Sequence, residues 1–200
     1  MELNIAMDKQ ELLNEELQKS RKAKKFNLYL GMIGMFMMFA AFSSGFIVYT
    51  NSGVDKGIKT ILPYVFIYST AAIVISSLTM YLAFKAVKNN DLGKQKIFLI
   101  ATILLGVLFF FLQLEAWSVL FSREITFTNT NASQSFIYVF TGFHLAHIIA
   151  GILVLTRCLI GAMKNIPLGN NIFRMEIASI FWHFLGLLWI YIYVFLLLNQ

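Results

Sequence analysis

The chain has 200 residues, 58% of them hydrophobic and only 13% charged, and apolar runs of about 20 residues, the length that crosses a bilayer, recur along it. This composition excludes a soluble globular protein and places the chain in the membrane class. The net charge of +6 brings no nucleic-acid-binding pattern with it, since no such fold and no interleaving of basic with aromatic residues accompany it.

Residues 1–27 form a polar tail. Within it Leu12, Leu13 and Leu17 stand at helical spacing among Glu11, Glu15 and Glu16, the pattern of a short amphipathic helix. Its basic end, Arg21 to Lys25, suits anionic headgroups. The first apolar block follows this tail without a small-residue cleavage site and is longer than the core of a secretory signal.

Residues 28–200 are predicted as a membrane domain of five helices over about 28–49, 63–84, 97–121, 136–160 and 176–198, because a core roughly 30 Å thick takes about 20 helical residues. Strand-type alternation is missing, which argues against a transmembrane barrel. The fold class is therefore all-α, a polytopic bundle. Small residues recur on the first span (Gly31, Gly34, Ala40, Ala41, Gly45) and every fourth residue on the fourth (Gly142, Ala146, Ala150), where a neighbouring helix could approach. Phe109, Phe110 and Phe111 read as packing residues, and the lone Cys158 as a small apolar group.

Orientation follows from basic residues, which are retained on the cytoplasmic side. Thirteen Lys and Arg fall in the tail, the second loop and the fourth loop, against three (Lys56, Lys59, Arg123) on the other side. The expectation is an inside N-terminus and an outside C-terminus.

Ionisable residues inside the spans are few and gather in the last three: Glu115, His144, His147, His183 and, at the edge of the fifth, Glu176. A charge-bearing group at that depth is costly and needs a reason. His144 and His147, three apart, lie on one helical face that Gly151 continues. Imidazoles and carboxylates raise a metal or haem reading and a proton-relay reading. Two histidines on one helix do not form a haem sandwich between facing helices, and no complete proton path is visible. Hydrogen bonding among these groups that fixes helix packing is the reading favoured over those two.

Three segments carry a family resemblance. Thr141-Gly142-Phe143-His144-Leu145-Ala146-His147 through Gly151 resembles the Thr-Gly-x-His-x-x-His-x-x-x-Gly signature of subunit III of haem-copper respiratory oxidases. Trp182-His183-Phe184-Leu185-Gly186-Leu187-Leu188-Trp189 is similar to that family's Trp-His-Phe-Val-Asp-x-x-Trp element, and Gln113-Leu114-Glu115-Ala116-Trp117 to its Gln-x-x-Glu-Tyr/Trp element. The five spans resemble the short bacterial form, with the tail in place of two helices. Two departures stand out: Met35 and Gly186 occupy places where the family often has carboxylates.

The resemblance implies an accessory subunit of a proton-pumping terminal oxidase in the bacterial plasma membrane, stabilising subunit I and supporting proton uptake. It implies no catalytic residue, bound cofactor or metal in this chain: haem and copper lie in subunits I and II, and phospholipids are held in a cleft between helix groups. It assigns Gln113, Glu115, Trp117, His144, His147, Glu176, His183 and Trp189 to a structural polar network, in which Glu115 or Glu176 would partner the histidines. The alternatives are subunit III of a quinol oxidase and, from another class, a membrane cytochrome ligating haem through the intramembrane histidines. A small transporter is disfavoured, since neither an inverted repeat nor a broken midplane helix is visible.

Overall fold

The computed structural model describes residues 2–51, 62–128, 132–164 and 166–199. Among them are five helices, α1 (Glu2–Asn51), α2 (Val65–Lys88), α3 (Leu92–Ser122), α4 (Ala132–Met163) and α5 (Leu168–Leu198). All five are long and apolar enough to cross a membrane. Four of the five predicted spans fall within one of them, and the second, 63–84, starts two residues before α2. The tail departs from expectation: it is continuous with the first span, so that α1 is a single helix of 50 residues, about 75 Å long at 1.5 Å per residue. Nothing in Lys19 to Leu30 breaks a helix, since the stretch contains neither proline nor glycine. Lys56 and Lys59 lie outside the described residues.

The prolines sit where their missing N–H costs nothing. Pro63 and Pro167 precede α2 and α5, and their carbonyls accept the first helical N–H groups, Phe66 to Pro63 at 3.0 Å and Asn170 to Pro167 at 2.9 Å. Asp91 caps α3, its Oδ1 accepting the Lys94 N–H at 3.0 Å. That bond, with the Lys94 ammonium beside it, holds the carboxyl below its ordinary range.

Helices α2 and α3 end in the same way. At the first end Asn90 takes a left-handed conformation, with Asp91 N–H bonded to Ala86 O and Asn90 N–H to Val87 O. At the second, Glu124 has φ 61, and Ile125 and Glu124 bond back to Leu120 and Phe121. Both are Schellman motifs, and at the second Ile125 and Leu120, the two positions that pair in such a motif, are both buried.

Helices α2, α3, α4 and α5 form a closed ring, each packed on two neighbours: α2 on α3 and α5, and α4 on α3 and α5. Helix α1 lies outside this ring in the groove between α4 and α5, and among the described residues it approaches neither α2 nor α3 closely. It inserts Phe39 and Phe46, both fully buried, toward Phe140 and Phe195. The outward faces carry large apolar side chains such as Leu104, Phe111 and Leu187, as a bundle solvated by lipid requires.

Glutamate at a left-handed position is strained by roughly 1–2 kcal/mol, whereas glycine adopts that conformation freely at an unfolded-state cost of roughly 0.5–1 kcal/mol. Glu124→Gly is therefore expected to stabilise the protein by about 0.5–1 kcal/mol. Thermal unfolding of the detergent-solubilised chain measures it, and a lowered transition temperature would contradict the assignment.

Candidate functional site

The polar groups of the bundle fall into layers along α2 and α5. At the end where the α2–α3 and α4–α5 turns lie, Gln95 of α3 and Asn171 of α5 form a reciprocal amide pair, Gln95 Nε2 donating to Asn171 Oδ1 at 3.1 Å and Asn171 Nδ2 to Gln95 Oε1 at 2.9 Å. Both are buried. One level further, the Trp182 indole donates to Ser76 Oγ at 3.0 Å, and the Ser76 hydroxyl donates to the Ile73 carbonyl at 2.7 Å. Beside them the Thr79 and Thr102 hydroxyls meet at 2.8 Å. Beyond the middle, Trp189 donates to Thr70 Oγ1 at 3.0 Å and Gln113 Nε2 to Ser69 Oγ at 2.9 Å. Trp117 donates to Thr141 Oγ1 at 2.9 Å, joining α3 to α4.

Glycine makes room for the larger of these groups. A Cβ on Gly106 would lie 2.8 Å from the Trp182 ring, and one on Gly151 would lie 3.1 Å from it and 3.0 Å from Leu185. The close approach thus runs through Gly106 and Gly151 on either side of one indole. It does not run along Ala146 and Ala150, which are exposed, nor along Gly31 and Gly34, which have nothing within 4 Å. Most of each expected packing stripe is turned out of the bundle, while a Cβ on Gly142 or Gly45 would lie 3.8 Å from Trp117 or Phe136.

Of the assigned network, Gln113, Trp117 and Trp189 are in interhelical hydrogen bonds, but the acids and histidines do not partner one another. Glu176 binds Lys25 of α1 at 2.6 Å. Glu115 is exposed on α3 and hydrogen-bonds to none of the described residues. The reason lies in register. In the family element the carboxylate stands three residues after the glutamine, on its own face. Here Ala116 holds that place and is fully buried, while Glu115, two residues on, is turned about 160° away from it. Trp117 is half-buried against Tyr138.

The two fourth-span histidines share a face but not a fate. His147, partly exposed, donates from Nδ1 to the Phe143 carbonyl within its own helix at 2.7 Å. His144 is fully buried, and neither ring nitrogen has a hydrogen-bond partner among the described residues. Its imidazole is enclosed by rings, with centroids at 5.2 Å for Trp189, 5.9 Å for Phe109 and 6.4 Å for Phe39. His183 is half-buried and bonded to nothing described. No three His, Cys, Asp or Glu side chains converge as a metal-ligand set among the described residues. Gly186, in place of the family's aspartate, lets α5 approach α2: a Cβ there would lie 3.1 Å from Ser77 Oγ.

Sequence reasoning missed the partners Ser69, Thr70, Ser76, Thr141 and the Gln95–Asn171 pair. For Ser69, Thr70, Ser76 and Thr141 the available signal was a hydroxyl inside an apolar run, whereas Gln95 and Asn171 stand in polar stretches just outside the predicted spans. Which of them face inward depends on helix rotation.

Three substitutions separate these contributions. Gly106→Ala should destabilise by roughly 1–3 kcal/mol, the usual cost of overpacking, because the facing atom belongs to a fixed indole. Replacing the unpartnered imidazole by a ring of similar size removes two unsatisfied nitrogens. His144→Phe should therefore stabilise by roughly 1–2 kcal/mol, whereas His144→Ala should cost roughly 3 kcal/mol through the cavity it leaves. Thermal unfolding reads all three, and a destabilised His144→Phe would show that the nitrogens are used.

Residues 18–199 match the family described as cytochrome c oxidase subunit III. The chain is 30% identical over 184 residues to cytochrome c oxidase subunit 3 of Bacillus subtilis (strain 168), covering 88% of this chain and 86% of that relative. It is 30% identical over 184 residues to the protein of the same name from Bacillus sp. (strain PS3), covering 90% and 86%. With that of Spodoptera frugiperda the identity is 30% over 126 residues, 63% of this chain and 83% of the relative. The match takes in every membrane-crossing segment of the ring and of α1, and the chain belongs to the cytochrome c oxidase subunit III family.

Proposed function

We propose that this protein is the accessory subunit III of a haem-copper terminal oxidase that takes electrons from cytochrome c, a multi-pass component of the bacterial plasma membrane. It has no redox chemistry of its own in this reading. The observation that carries it is the match of residues 18–199 to the subunit III family, across a five-helix bundle whose interior is filled by packed aromatic side chains. In this role the chain docks chiefly on subunit I, with subunit II nearby, stabilising subunit I during turnover and supporting proton uptake. Haem and copper belong to those partners, and phospholipids are held between the helix groups. The N-terminus lies inside and the C-terminus outside, from the distribution of Lys and Arg.

Two features of the geometry support a partnered, non-catalytic role. Glu115 stands exposed on a face with Leu104, Leu108 and Phe111, and a carboxylate at membrane depth is costly against lipid. A neighbouring subunit that meets it removes that cost. The intramembrane histidines are the second feature: His144 is enclosed by aromatic rings and His147 is bonded within its own helix, an arrangement that suits packing.

The test is purification of the tagged chain from native membranes under mild detergent. The expected preparation contains haem-bearing subunits and a dicopper subunit in fixed proportion to the chain. The chain expressed alone should show no haem absorbance. Stoichiometric haem on the isolated chain, altered by replacing His144, His147 or His183, would instead establish a membrane cytochrome.

A further inference from the structure

The outward face of α3 carries a single carboxylate in an otherwise apolar run. From Ile97 to Phe121 Glu115 is the only ionisable residue, and it is exposed. At 100° per residue Leu104, Leu108 and Phe111 point within about 40° of it, and these three are 63%, 47% and 62% exposed. Gln113, Ala116 and Leu120, on the far side of the helix, are fully buried, so the packing of the bundle itself holds Glu115 outward.

Glu115 stands six residues before the end of that run, about 9 Å along the helix axis. Direction decides whether its carboxylate can reach the near interface. Helical side chains tilt toward the N-terminus of their helix, and the N-terminus of α3 is the far end. The side chain is therefore carried deeper into the apolar layer, the opposite of snorkelling. Lipid tails covering this face would leave the carboxylate without donor or counter-charge, which is costly at that depth. A second copy of the chain is no better: two parallel copies related by a two-fold axis would set Glu115 against Glu115, like charge on like charge.

We infer that the face of Leu104, Leu108, Phe111 and Glu115 docks a membrane-crossing helix of another subunit, and that this helix presents a Lys, Arg or His level with Glu115. The three apolar side chains pack on the partner helix without preferring one register over another. The single charge pair then fixes the register, as a lone polar position does between paired helices. The inference deepens the subunit reading and rests on it: it adds which face of the ring is covered and what the covering helix must carry.

The experiment uses the full chain in its native membranes, with Phe111 replaced by the photoreactive residue p-benzoylphenylalanine and, in a control preparation, Leu187 on an exposed face of α5 replaced instead. Illumination should link residue 111 to one other polypeptide, at an apolar segment with a Lys, Arg or His within about two turns of the attachment point. Glu115→Gln should lower that yield by about tenfold, the effect of roughly 1.4 kcal/mol, and leave the yield at residue 187 unchanged. Glu115→Leu is read in the same way and keeps the test decisive if the first variant does not accumulate. Exchanging the charges, by Glu115→Lys together with glutamate in place of the partner's basic residue, should restore the link. Adducts at residue 111 confined to lipid or to a second copy of the chain, an attachment segment without a basic residue, or a yield that neither variant moves would overturn the inference. If haem-bearing subunits still copurify in that event, the subunit reading stands without it, whereas a chain that copurifies with none of them loses both.

Discussion

The structure depends on two indoles of α5 that must find both space and a hydrogen-bond acceptor inside an apolar bundle. Trp182 and Trp189, one face of the helix and seven residues apart, both donate to hydroxyls of α2, Ser76 and Thr70. In a membrane the hydrophobic effect does not distinguish a helix neighbour from a lipid tail, so close packing and directional hydrogen bonds decide which helices meet. These two bonds join α2 to α5 and thereby close the ring. The glycines of α3 and α4 then follow, because an indole between three helices leaves no room for a Cβ at Gly106 and little at Gly151.

The aromatic interior explains how a histidine can be buried without partners. His144 sits where Phe109 and Trp189 meet edge to face at 4.9 Å, and its flat ring fills a gap among other flat rings. Ring-to-ring packing offsets part of the desolvation of the imidazole nitrogens, while those nitrogens remain unsatisfied. The polar bonds that hold the bundle together come from less conspicuous residues, the serines, threonines and amides of α2, α3 and α5.

Helix α1 plays a different part from the other four. It is attached from outside, by Phe39 and Phe46 at membrane depth, by Ser43 and Tyr191 whose hydroxyls meet at 2.7 Å, and by Lys25 with Glu176 and Arg21 with Asn170 near its polar half. Its remaining faces are exposed and apolar, as at Phe36, Met37 and Val48.

The sequence by itself determined the class, the five helices and their approximate limits, because these follow from apolar length and from proline and cap positions, which are local properties. It also carried the family, through residues at fixed spacing on three successive spans. The same spacing also held the information that Glu115 is not on the face of Gln113, since two residues along a helix turn a side chain to the far side. What only the tertiary structure decided is pairing: that Glu176 meets Lys25, that Trp182 meets Ser76, that Gln95 meets Asn171, and that Ala146 and Ala150 face outward. In a chain that is apolar on every face, amphipathic periodicity is too weak to set the rotation of a helix about its axis. Rotation is then fixed by which side chains interlock across helices, and that is a property of the assembled bundle.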